Sequence, residues 1–301
     1  MEQAYRRQVS LLLSVLPEVA KEESLALHGG TAINLFVREM PRLSVDIDLT
    51  YIPIEDRQTS LANIKAALLR IKGSVERVVK NARVTDRTGF GKLLISSQGV
   101  IIKLEVNLVN RGSIVRPEPI VLCSRAQEEF DSFCEISVMP IGQLYGGKLC
   151  AALDRQHPRD LFDVKYLLDN EGFSDDVKTG LLLAILSSDR PIHEVLNPTK
   201  LDQRNTFENH FVGMAVEEFT YDEFEETRNT LIKTVDKDLT DEDREFILSV
   251  KRLAPRWDIY DFESFPSVQW KMQNLRRLHE TNYAKYNEQL EKLEKVLGKG
   301  Q

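Results

Sequence analysis

Cysteine is scarce in this chain: Cys123, Cys134 and Cys150 are the only three, none in Cys-x-x-Cys spacing and each among apolar neighbours. That rules out a disulfide framework and a zinc finger, and leaves three small reduced core residues as the expectation. Long apolar runs are also missing. The longest, such as residues 181–186, fall well short of the roughly 20 residues a bilayer-spanning helix needs. Residues 1–7 are polar and charged, and the apolar run at 11–16 carries no small-residue cleavage motif, so a cytoplasmic protein without a membrane role is expected. There is no excess of positive charge. The formal net charge of −7 argues against a surface that is basic overall, although a local basic site on an acidic body stays compatible with it. Gly-x-Ser-x-Gly, Walker A and Cys/His metal spacings are all lacking, which removes support for the matching hydrolase, ATPase and zinc chemistries. No internal repeat or low-complexity stretch interrupts the chain.

What is present is ordinary globular material: 301 residues, 42% hydrophobic and 29% charged, enough for about two domains. The first half alternates helical periods with short apolar stretches at 25–27, 45–49, 93–95 and 100–109, an α+β pattern. After Pro140 helical periods dominate, at 141–153, 159–168 and 176–186. The expected organisation is a mixed-sheet domain over residues 1–140 and a helical domain over 141–301 that packs tightly on it and completes the active site. Leu275, Leu278, Leu290, Leu293 and Leu297 punctuate a charged stretch at helical spacing and predict one amphipathic terminal helix that docks on the body.

The chemistry begins at His28-Gly29-Gly30-Thr31, between the strand at 25–27 and a helix expected at 32–37. Glycines there let the backbone approach an anion, and free amides with the Thr31 hydroxyl can donate to phosphate oxygens. Alone, such a turn is equally well an ordinary tight turn. The next segment, Ser44-Val45-Asp46-Ile47-Asp48-Leu49, alternates so that a strand buries Val45, Ile47 and Leu49 and projects Asp46 and Asp48 together. Two adjacent carboxylates repel unless a cation lies between them, and a hard divalent ion such as magnesium, with manganese as the alternative, suits oxygen ligands. Asp236-Lys237-Asp238 and Asp241-Glu242-Asp243 show the same spacing without the apolar register and read as loop or cap charges.

A further carboxylate is expected from a neighbouring strand. In the alternating run 100–108, Glu105 shares a face with Lys103 and Asn107, opposite Ile102, Leu104, Val106 and Leu108. It is either the third metal ligand or part of a solvated Lys–Glu face. In the second half, Lys148 and Arg155 stand seven apart on one helical face and together can neutralise a triphosphate. Pro158 opens the next helix, where Arg159, Asp160 and Asp163 either hold those cations and the nucleotide or form an interhelical salt-bridge cluster. His28 and His157 read as structural.

Gly29-Gly30-Thr31, then Arg42-x-Ser44-x-Asp46-x-Asp48-Leu49, then residues 148–155 and Arg159-Asp160-Leu161-Phe162-Asp163, together resemble the AbiEii/AbiGii nucleotidyltransferase toxins of the DNA polymerase β superfamily. The match spans about residues 25–170; the stretch between Gly30 and Asp46 is longer than in many members of that superfamily. The resemblance implies a polymerase-β-like fold and a toxin of a toxin–antitoxin or abortive-infection system, with a cognate antitoxin. It also implies transfer of nucleotides from an NTP to an acceptor, which in related toxins is the tRNA 3′ end. It places magnesium on Asp46 and Asp48, the triphosphate on Gly30 and Ser44, and essential roles on Lys148 and Asp163. The residues alone leave two other readings open: transfer to a protein or small molecule such as an antibiotic, and a catalytically silent nucleotide-binding module.

Overall fold

The computed structural model describes residues 3–298. The chain divides into two compact units, residues 1–140 with 211–218, and residues 141–210 with 219–301. The return of 211–218 to the first unit adds a segment that a single division at 140 does not contain.

The first unit runs α1 (Gln3–Val19), β1 (Leu25–His28), α2 (Gly29–Ala32) continuing as a π-helical turn Ile33–Val37, β2 (Asp46–Tyr51), α3 (Arg57–Val78), β3 (Arg83–Arg87), β4 (Lys92–Ser97), β5 (Val100–Asn107), β6 (Glu118–Val121), α4 (Ser124–Phe130) and β7 (Glu135–Val138). The strands form one mixed sheet in the order β3-β4-β5-β2-β1-β7-β6. β2 is antiparallel to β1 and parallel to β5, so the acidic strand lies between the strand that leads into the glycine turn and the strand that carries Glu105.

Period-two alternation gives this sheet one apolar face. Ile47, Leu49 and Tyr51 on β2, Ile102, Leu104 and Val106 on β5, and Leu93 and Ile95 on β4 are buried there. α1 contributes Leu12, Val15, Leu16 and Val19, and α3 contributes Ile64, Ala67, Leu68, Ile71 and Val75, each set spaced at three and four along its helix. Burying each large side chain contributes about 1.5 to 3 kcal/mol, which fixes the strand register, because a slip of one residue would send Ile47 and Leu49 to the opposite face. That opposite face is left for Asp46 and Asp48. Val45, expected within the strand, lies just outside it and is half-buried.

The second unit is helical: α5 (Ile141–Arg155), α6 (Pro158–Asn170), α7 (Asp175–Ser187), α8 (Ile192–Leu196), α9 (Arg204–His210), α10 (Tyr221–Asp238), α11 (Asp241–Lys251), α12 (Pro266–Thr281) and α13 (Tyr283–Val296). α5 and α7 touch backbone to backbone through glycines. A Cβ on Gly146 would lie 2.1 Å from the Gly180 carbonyl carbon, and one on Gly180 would lie 2.1 Å from the Gly142 carbonyl oxygen. The single terminal helix expected from the leucine spacing is in fact two helices. Asn282 leaves helical geometry (φ −151°) and its side chain caps α13 by accepting from the Lys285 amide, so leucines on both sides keep helical spacing across a break. All three cysteines are free and buried. Burial pushes the thiols up, to about 11 for Cys134 and about 12 for Cys150.

Candidate functional site

The polar face of the sheet is built row by row. His28, Asp48, Glu105 and Lys92 stand opposite one another across β1, β2, β5 and β4, and Asp46 is paired with Lys103. Paired residues point to the same side of a sheet, so Asp46, Asp48, Glu105, Lys103 and Lys92 share one surface. Glu105 bonds Lys92 and Lys103, each at 3.0 Å. Burial alone would raise the Glu105 carboxyl, but the two lysines hold it below the ordinary range. Burial alone would lower the Lys103 ammonium, yet its bond to Glu105 and the fields of Asp46 and Asp48 raise it. Lys103 is thus the local counter-charge to the aspartate pair. It was legible as a neighbour of Glu105, but this role was not, because it depends on β2 and β5 being adjacent.

The glycine turn closes on this face. Gly29 adopts φ +72°, a conformation that L side chains rarely take, and a Cβ there would lie 2.8 Å from Asp48 Oδ2. At Gly30 a Cβ would meet Arg42 Nη2 at 2.9 Å and Ser44 Oγ at 3.0 Å. The Thr31 hydroxyl donates to the Asp46 carbonyl at 2.5 Å and lies 3.0 Å from the Ser44 hydroxyl, which ties the helical turn to the start of the acidic strand. The Asn34 amide donates to the Gly30 carbonyl at 2.9 Å. The helical geometry begins at Gly29, three residues earlier than the sequence pattern predicts.

Residues 211–218 hold the loop between this turn and β2. The Leu43 amide donates to the Met214 carbonyl, the Val216 amide donates to the Pro41 carbonyl, and Arg42 bridges to Ala215. Arg42 is buried there, with Nη1 donating to the Leu43 carbonyl at 3.0 Å. Nothing in the periodicity of 211–218 announces this role.

In the helical unit, Lys148 of α5 is buried between Asp160 (2.9 Å) and Asp163 (3.1 Å) of α6. Arg155 adds a bidentate pair to Asp160, with Nε at 2.6 Å and Nη2 at 3.1 Å, while its side chain stays largely exposed. Burial would push the Asp160 carboxyl up, but Lys148 and Arg155 overcome this and hold it well below the carboxylate range. The four residues form one network of two cations and two anions. Pro158 opens α6 as expected, and His157 caps it, with Nδ1 accepting from the Arg159 amide. Arg159 lies half-buried in the same first turn. The two Asp-x-Asp stretches set aside as cap or loop charges end α10 and open α11, where Asp243 closes a capping box with Thr240.

Among the described residues no group of three His, Cys, Asp or Glu stands ready to hold a metal ion. Asp46 and Asp48 offer two carboxylates, while both Glu105 oxygens are engaged with lysines. Two carboxylates suffice for magnesium, which keeps several waters and takes further oxygens from substrate phosphates.

A family model described as "Nucleotidyl transferase AbiEii toxin, Type IV TA system" matches residues 10–274. The chain belongs to the AbiEii family. It is a nucleotidyltransferase toxin of a type IV toxin–antitoxin system, which implies an NTP substrate and an antitoxin partner. The fold is shared with MenT4, nucleotidyltransferase toxin Rv2826c from Mycobacterium tuberculosis H37Rv. The TM-score is 0.60 at 14% identity, over 90% of this chain and 93% of that one. Curated proteins give no match. No described helix is long and apolar enough to cross a membrane.

Proposed function

We propose that this AbiEii toxin transfers nucleotides from an NTP to an RNA acceptor, the tRNA 3′ end, in a magnesium-dependent reaction. The single observation that carries the reading is the packing of the Asp48 carboxylate against Gly29, with Asp46 tied to Thr31 next to it. On this reading the Asp46 and Asp48 carboxylates share the sheet face that the turn borders, and the turn's amides are the donors for phosphate.

Asp46 and Asp48 would hold the divalent ion, which when bound neutralises phosphate charge and lowers the pKa of the attacking hydroxyl. Gly29, Gly30, Thr31 and Ser44 cradle the triphosphate, where a side chain at Gly30 would intrude on Arg42 and Ser44. The acceptor hydroxyl oxygen forms a bond to the α-phosphorus as the bond to the β-phosphate oxygen breaks, and pyrophosphate leaves with that electron pair. The hydroxyl proton passes to a carboxylate of this face. Glu105 takes that proton, or completes a second metal position, only by releasing Lys92 and Lys103 to the phosphates. Within the helical unit, Asp160 and Asp163 keep Lys148 and Arg155 in place, and these two cations, with Arg159, are the groups of that unit suited to nucleotide phosphates.

The test is incubation of the protein with total RNA and each labelled NTP separately in magnesium, followed by gel analysis. Label on a band of tRNA size, lost when the tRNA 3′ end is blocked, supports the reading. Label only on protein or on a small molecule, or no turnover of any NTP, contradicts it.

A further inference from the structure

The helical unit contains a cavity of about 140 Å³ among the C-terminal end of α7, α8, α11, α12 and α13. Its wall holds two lysines that the transfer chemistry does not use. Lys251 is 3% exposed and Lys271 is 8% exposed, and among the described residues neither has a carboxylate within salt-bridge distance. The Lys271 ammonium donates to the carbonyls of Ser188 and Arg190, both at 2.6 Å. Lys251 donates to Gln289 Oε1 at 3.1 Å and lies 4.4 Å from the centre of the Tyr286 ring. Ser188, Arg190 and Gln289 themselves line the cavity, so both ammonium groups sit at its wall. Each ammonium has three donors, and these acceptors leave donors on both groups without a protein oxygen.

Burying two like charges together without a counter-ion is unfavourable. Burial first pushes both lysines down to about 8, and for Lys251 the neighbouring Lys271 adds to the fall. Of the nearby acids, Asp154 and Glu194 are bonded to Arg190, while Asp189, which also lines the cavity, raises Lys271 without forming an ion pair with it and leaves it below its ordinary value. Lysines serving only to cap the end of α7 would need Lys271 alone. Lys251 would then be a buried charge with one neutral acceptor and an aromatic face.

We propose that this cavity binds a phosphate group, held between Lys251 and Lys271, as free phosphate, as pyrophosphate or as the phosphate end of a nucleotide. A volume of about 140 Å³ is enough for one tetrahedral oxyanion. Trp270, about half exposed, lines the opening and reports on occupancy. The inference is independent of the transfer reaction and would survive its failure.

The test titrates inorganic phosphate, pyrophosphate and an NTP, each without metal, against the full chain while following tryptophan fluorescence, with Trp270→Phe as the signal control. Expected is a saturable change that persists in Asp46→Ala and weakens about tenfold or more in Lys251→Met and in Lys271→Met. The anion that binds most tightly identifies the source. Methionine keeps the stem volume, and removing a buried charge spares the fold, which thermal melting checks. Absence of saturation with all three anions, or unchanged affinity in the folded double variant, overturns the assignment.

Discussion

The carboxylate of Asp48 lies against the α-carbon of Gly29, so close that a methyl group on Gly29 would stand 2.8 Å from Oδ2. Gly29 is therefore required twice, once for its positive φ and once for the room it gives the acid. Gly29→Ala is expected to lower transfer by about ten- to a hundredfold through a displaced carboxylate. It is also expected to cost on the order of 1 to 2 kcal/mol in stability. Transfer assays and urea melts on the same preparation separate the two effects, and wild-type activity in the alanine variant would contradict the relationship.

The network of buried Lys148, Asp160 and Asp163 with the exposed Arg155 gives a pH signature. The Asp160 carboxyl titrates lower in the folded chain than in the unfolded one, so folding favours its charged form. Its contribution is complete above the unfolded carboxyl value of about 4 and is lost as pH falls through the lower folded value. Asp160→Asn should be less stable at neutral pH by about 3 to 5 kcal/mol and should lose less stability on acidification than the wild type. Urea unfolding at neutral and acid pH measures both, and parallel stability curves for the two proteins would refute the assignment.

At the glycine contact between α5 and α7, Gly146→Ala should force the helices apart, because the new Cβ would stand 2.1 Å from the Gly180 carbonyl carbon. A loss of about 1 to 3 kcal/mol is expected. Gly172→Ala, where a Cβ meets nothing within 4 Å but φ is +72°, isolates the backbone cost alone. A Gly146 variant that melts no lower than the Gly172 variant would show that the helices are not locked at this point.

The sequence announced the acidic strand because Ile47 and Leu49 alternate with Asp46 and Asp48, and burial of one pair dictates the exposure of the other. It announced α5, α6 and α7 through their helical periods. β3, β6 and β7 escaped notice for a physical reason: they are only four or five residues long, and the two at the sheet's edges bury little, with Val84 the one fully buried residue of β3. The pairing of β2 with β5 was equally hidden, since parallel strands are joined through intervening elements and local pattern does not say which strands meet. With that pairing hidden, the double engagement of Glu105 and the role of Lys103 as counter-charge were hidden too. The segment 211–218, which pins Pro41 and Leu43 through backbone hydrogen bonds, carries no side-chain pattern to read.

The most direct measurement is nucleotide transfer by Asp46→Ala, compared with wild type under single-turnover conditions and checked by thermal melting. A folded variant whose transfer falls on the order of a thousandfold is the expected result. A folded Asp46→Ala protein that transfers nucleotide at the wild-type rate would contradict it, and with it the placing of the chemistry on the acidic strand.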